Sequence, residues 1–259
     1  MKKLIFNIAL LLITAVSFGA DVVELKLSKS DIIVIKVMFK NGSICDPSDK
    51  AGLTDMTASM IAEGGTKTMT STQIQDYIYP WAASYFASVD KQVSIFTFEV
   101  HKDNLDKFYP VMIDLLKNPR FAEDDFNRIK SNQLNYVDEV IRSSSDEEYS
   151  KKYLEDLLFR GTNMQHLVEG TVAGVQSITL DDVKKHYSNF FGSSNMTIGI
   201  AGNYSADFLK KITTDLNGMP AAKSAIPEAG KGRQPKDFEV EIVAKDNALG
   251  SAIFAGFPM

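Results

Sequence analysis

The sequence predicts an α+β fold. Short stretches alternate strictly between apolar and polar residues, and longer stretches place apolar residues at helical spacing, with the helical ones gathered in runs. The clearest alternation is Val93 to Val100, where Phe96, Phe98 and Val100 share one face and Ile95, Thr97 and Glu99 the other. With 44% hydrophobic and 24% charged residues, the composition is that of a packed globular chain, which excludes collagen, coiled coil and disordered tail.

Along the chain, Lys2 and Lys3 precede an almost wholly apolar run from Leu4 to Val16, with small residues at Ser17, Gly19 and Ala20. This is the pattern of a secretory signal peptide over residues 1–20, too short and wrongly flanked for a spanning helix, and it predicts a periplasmic or secreted protein without stable membrane insertion after cleavage. Val22 to Leu27 and Ile32 to Phe39 read as strands around a Ser28-Lys29-Ser30-Asp31 turn. Leu53 to Ala62 carries Leu53, Met56, Thr57 and Met60 at helical spacing and stops at Gly64-Gly65. Gln73 to Tyr79 is a short helix ended by Pro80. Leu105, Phe108, Met112 and Leu116 mark a helix that Pro110 should kink or restart.

Two long polar-faced helices follow, Ala122 to Arg142 and Glu147 to Phe159. Leu180 to Phe190 is a helix capped by Thr179, with Asp181 and Asp182 in its first turn. Met196 to Ala201 is an apolar strand, and Ser205 caps a helix running to Leu216. Residues 21–217 form the main domain. Proline and glycine dominate 218–236, which reads as an interdomain linker. Phe238 to Val243 and Ala252 to Ala255 read as two further strands, so 237–259 looks like the start of a truncated second half.

The formal net charge of −5, more negative still without Lys2 and Lys3, argues against nucleic acid as a partner. Cys45 is the only cysteine, so no intramolecular disulfide forms and stability rests on the core. His101, His166 and His186 are not at metal-ligand spacing and read as surface or capping residues. P-loop, GxGxxG, GxSxG and CxxC motifs are absent.

An ordered set of short elements nevertheless points to a family. Phe39-Lys40-Asn41-Gly42-Ser43, Asp46-Pro47, Lys50-Ala51-Gly52-Leu53 and a helix ending in Glu63-Gly64-Gly65-Thr66 come first. Asn118-Pro119-Arg120-Phe121, Gly170-Thr171, Ser177 to Val183, and Asn195-Met196 through Gly202-Asn203-Tyr204 follow in order. Together they resemble the M16 metallopeptidases, the insulinase, pitrilysin and mitochondrial processing peptidase group. The resemblance implies the LuxS/MPP-like metallohydrolase fold, an antiparallel sheet covered on one face by helices.

In active members the helix after the Gly-Leu pair carries HxxEH, two zinc-binding histidines one turn apart and a glutamate that polarises the attacking water. The resemblance places Asp55 and Ser59 at the histidine positions and Ala58 at the glutamate position, with a remnant of the third ligand at or near Glu139. Alanine cannot transfer a proton, and a serine hydroxyl is a poor zinc ligand. Asp55 and Glu139 around some other cation is the remaining metal reading; the plainer one has both carboxylates solvated or hydrogen-bonded. The expected set of catalytic residues and metal ligands is therefore empty, with no cofactor here and the zinc carried by a partner subunit.

The function this implies is an exported non-catalytic M16 subunit that holds an unfolded peptide for an HxxEH-bearing M16 partner. Read as an edge strand, Val93 to Val100 is a candidate for pairing with that peptide; read as a core strand it needs no such role. A stand-alone peptide-binding or scaffold protein, and a metallopeptidase with non-standard ligands, are the alternatives.

Overall fold

The computed structural model describes residues 20–141, 146–234, 237, 239–244 and 250–257. Residues 1–19 of the expected leader, Arg142, Pro235, Lys236 and Phe238 lie outside the described residues. Five strands, β1 (Asp21–Lys26), β2 (Ile32–Phe39), β3 (Ser84–Val89), β4 (Ser94–His101) and β5 (Met196–Gly202), form one sheet in the order β1-β5-β2-β4-β3. All pairings are antiparallel except β1 with β5.

Register explains why the sheet is apolar on one side. Ile35 of β2 lies between Phe98 of β4 and Ile200 of β5, and Val37 lies between Phe96 and Ile198, so the alternating apolar sets coincide across three strands. All six side chains are buried. The intervening residues Val34, Lys36 and Met38 face the other way and keep solvent contact. The helices cover the apolar face: α1 (Leu53–Glu63), α3 (Leu105–Lys117) and α8 (Ala206–Asn217) place Ile61, Phe108, Met112, Leu115, Ile212 and Leu216 in one cluster with the strands.

A second, smaller cluster sits on another side of α1. There Leu53, Met56 and Met60 meet Phe126 and Ile129 of α4 (Glu123–Asn135), Val175 of α6 (Val172–Ser177) and Val183 of α7 (Leu180–Phe190). Thus α1 is gripped on two sides. Its remaining stripe, Asp55, Ser59 and Glu63, follows the i, i+4 spacing of one helical face.

Several sequence expectations need correction. β4 is an interior strand with β2 and β3 on its two sides, so the edge assigned to Val93–Val100 belongs instead to β3, a strand the sequence reading missed. Its alternation is hard to see because Phe86 points to the exposed face while Ala87 is half-buried. α3 runs unbroken across Pro110: Phe108, Val111, Met112, Leu115 and Leu116 are buried, and that burial outweighs the roughly 3 kcal/mol helix penalty of proline. The helix predicted over 122–142 changes character after Asn135, where a π-helical turn, Tyr136–Val140, follows α4. α2 (Ser71–Ile78) opens with a capping box between Thr70 and Gln73, and α5 (Asp146–Phe159) follows the π turn.

The segment read as a free linker is partly docked. Met219 is buried, Pro220 accepts from Ser193 N–H, and Ser224 and Arg233 donate their N–H groups to Asn189 and Leu158 carbonyls. The two strands expected beyond it do not form among the described residues. Val240, Ile242 and Ile253 are exposed there, since no described strand edge pairs with them.

Candidate functional site

The start of α1 is built by a buried carboxylate. Asp46 accepts hydrogen bonds from Gly52 N–H (2.7 Å), Thr54 N–H (2.7 Å) and the Thr54 hydroxyl (2.6 Å), satisfying donors that a helix N-terminus leaves open. Burial pushes the Asp46 carboxyl upward, against the lowering effect of those hydrogen bonds and of His166, whose Nε2 lies 4.0 Å away. With its proton committed to Asp46, the Thr54 hydroxyl accepts from His186 Nε2 at 2.8 Å, which assigns the Nε2–H tautomer. His186 is buried, and desolvation pushes its imidazole down to about 3. It is a core residue of the α7–α1 contact, not the surface or capping histidine expected. His101 does cap, accepting from Asp103 N–H.

Gly52, at φ +98°, and Gly170, at φ +93°, bring a loop against this helix start. A Cβ on Gly170 would lie 2.2 Å from the Ala51 carbonyl oxygen, so only glycine permits the approach. Gln133 of α4 locks the same junction. Its Nε2 donates to the Gly52 carbonyl (3.0 Å) and the Glu169 carbonyl (2.8 Å).

Between α1, α4 and this loop lies a cavity of about 280 Å³. Asp55, Ser59 and Glu63 form its α1 wall, and Gln133, Tyr136 and Glu169 stand opposite. Both Glu169 carboxylate oxygens meet Lys152 Nζ at 2.9 Å. Burial raises the Tyr136 phenol, followed by the Glu169 charge, so it stays protonated at neutral pH. Asp55 has no hydrogen bond or ion pair from the described residues. Burial lifts its carboxyl to about 7, and the charges of Glu169, Asp46 and Glu63 add to the rise while Lys152 opposes it.

The positions singled out by sequence thus divide three ways. Asp55 and Ser59 face the cavity together. Ala58 is buried in the main core, pointing at the sheet and not at the cavity. Glu139 is exposed and outside the cavity lining, and Tyr136 holds the α4-side position expected of it. Helical spacing is the physical reason: residue 139 lies ten past Ile129 and six past Gln133, off the i, i+4, i+7 face that Ile129, Gln133 and Tyr136 share. Gln133, Tyr136 and Glu169 were not singled out by sequence. The i, i+4, i+7 spacing of Ile129, Gln133 and Tyr136 was the available signal.

These donors do not suit zinc. One carboxylate, one neutral hydroxyl and one protonated phenol replace imidazole and carboxylate ligands, and among the described residues no three His, Cys, Asp or Glu side chains converge on a point.

Residues 22–172 match the sequence profile described as Insulinase (Peptidase family M16). The chain belongs to the M16 family. Residues 177–258 match the profile described as Peptidase M16 inactive domain, so the family covers both sides of α6. Among relatives of this M16 chain is "Non-peptidase homolog YmxG" of Helicobacter pylori, 25% identical over 73% of the chain and 44% of the relative. Mitochondrial-processing peptidase subunit beta of Dictyostelium discoideum is 22% identical over 73% of the chain and 40% of that protein. The chain therefore spans less than half the length of these relatives. The fold is shared with the crystal structure of a peptidase M16 inactive domain from Pseudomonas fluorescens, at TM-score 0.76 and 18% identity over 85% of this chain and 53% of that one. A protease from Helicobacter pylori has the same fold at TM-score 0.71 and 19% identity, over 84% of this chain and 53% of that one. This M16 chain carries no HxxEH.

Proposed function

We propose that this chain is a non-catalytic M16 subunit, exported by its N-terminal leader, that holds an extended peptide for a partner subunit carrying HxxEH and zinc. The observation that carries the reading is the replacement on α1: Asp55 and Ser59 face the cavity where histidines would be required, and Ala58 is packed into the core where a proton carrier would be required. The name of the Helicobacter pylori non-peptidase relative supports it. So does the leader pattern of residues 1–20.

In this reading the chain acts by position. Peptide bound to an inert wall is oriented at the partner's metal, and binding energy is converted into proximity instead of bond-breaking chemistry. β3 supplies a free edge for an extended peptide, with main-chain groups open along one side, and it packs beside α1.

Affinity purification of the exported protein from its native host tests the reading. An HxxEH-bearing M16 chain should co-elute in stoichiometric amount, and the pair should cleave an unstructured peptide in a chelator-sensitive way. Elution as a lone chain, with no HxxEH-bearing protein after mild crosslinking, would remove the partner from the account.

A further inference from the structure

β1 is an edge strand held from its ends. All six of its side chains, Asp21 to Lys26, are exposed, so its attachment rests on main-chain pairing with β5 and on what anchors it before and after. After the strand, Leu27 N–H donates to the Gly202 carbonyl (3.0 Å), and Lys26 Nζ meets the Tyr204 carbonyl. Before it, the anchor is Ala20. Its N–H donates to Asn217 Oδ1 at 2.8 Å, and the residue packs half-buried against the main core cluster. Asn217 is the last residue of α8, so the Ala20 nitrogen sits at the negative end of a helix. Asp21, by contrast, is exposed, and its ion pair with Lys40 (3.6 Å) lies in solvent.

We propose that the leader is removed between Gly19 and Ala20, one residue earlier than the pattern over 1–20 suggests, and that the α-ammonium so created on Ala20 docks at the C-terminus of α8. The inference rests on the export reading above. Two independent observations carry it. A leader peptidase takes small residues one and three positions before the cut. A cut after Gly19 puts Gly19 and Ser17 there, whereas a cut after Ala20 puts bulky Phe18 at the second of those positions. The folded chain supplies the other observation. Hydrolysis of the Gly19–Ala20 amide consumes one water, leaves a carboxylate on the released Gly19 and frees the Ala20 nitrogen as an ammonium. One N–H donor thereby becomes three on a full positive charge, beside the Asn217 oxygen and a helix end that stabilises cations. A cut one residue later would discard Ala20 with its hydrogen bond and its apolar contact, and β1 would begin without its front anchor. Leader removal in this scheme completes the attachment of an edge strand.

The full chain, leader included, is expressed in a bacterial host, recovered from the exported fraction and read by intact mass and N-terminal sequencing. Ala20 as the first residue is the expected result. Asp21 as the first residue overturns the cut and leaves the export reading intact, while a retained leader or no exported protein overturns both. Docking is read separately, by thermal unfolding of chains made to start at Ala20 or at Asp21. The Ala20 chain should melt about 2 to 4 °C higher, and Asn217→Ala should remove most of that difference. Equal melting temperatures, or a difference that Asn217→Ala leaves unchanged, overturn the docking.

Discussion

Gly170→Ala should destabilise the protein by about 3 kcal/mol, a fall in melting temperature of roughly 6 to 12 °C for a chain of this size. Two effects combine. The φ of +93° is unfavourable for any residue with a Cβ, and that Cβ would lie 2.2 Å from the Ala51 oxygen and 2.6 Å from its carbonyl carbon. The clash is with backbone, so no rotamer change relieves it. Gly161→Ala separates the two effects: Gly161 also has a positive φ, +83°, but nothing lies within 4 Å of its added Cβ. It should therefore cost only about 1 kcal/mol. If thermal unfolding shows equal losses for the two variants, the close approach of the loop to α1 is not what stabilises the junction. Since Gly170 follows Glu169, loss of that approach also displaces one wall of the cavity.

Asp55→Asn should act in the opposite direction and stabilise the protein by about 2 kcal/mol at pH 8. The wild-type carboxyl is lifted to about 7 in the folded state, by burial first and then by Glu169, Asp46 and Glu63, with Lys152 in opposition. Between pH 4 and 7 the folded protein thus binds a proton that the unfolded chain has released, so this residue's contribution falls as pH rises through that window and is level above it. The full shift corresponds to about 4 kcal/mol; the partial exposure of the Asp55 side chain reduces the figure by about half. His186 has the opposite sign. Its imidazole is held near 3, so its contribution is complete above about 6.5 and is lost as pH falls. Subtracting wild type from variant cancels the histidine. Chemical denaturation should give a difference near zero at pH 4 that grows to its full value by pH 8. A pH-independent difference would mean that Asp55 is solvated like a surface carboxylate.

Much of the fold is legible in the sequence because its signals are local. Phe96, Phe98 and Val100 alternate without interruption, and Thr179 and Asp182 form a capping box at the start of α7 that needs no tertiary information. β3 is not legible, because an exposed Phe86 inverts the usual pattern on an edge strand. Neither is the unbroken course of α3 through Pro110, which depends on packing against the sheet. Within the cavity, Asp55 and Ser59 follow from the position of the Gly52-Leu53 pair. Glu169 comes from a loop more than a hundred residues away, whereas Tyr136 keeps the helical spacing of Ile129 and Gln133 and was within reach of the sequence. The burial of His186 likewise depends on a long-range partner, the Thr54 hydroxyl.

The account depends on α1 lacking the groups that bind zinc and move the proton during hydrolysis. Elemental analysis of the purified chain by mass spectrometry, paired with a peptide-cleavage assay, tests this most directly. After dialysis against zinc at micromolar concentration, the expected result is far less than one zinc per chain and no chelator-sensitive cleavage by the chain alone. One tightly held zinc per chain, lost together with peptide cleavage on Asp55→Asn, would contradict it.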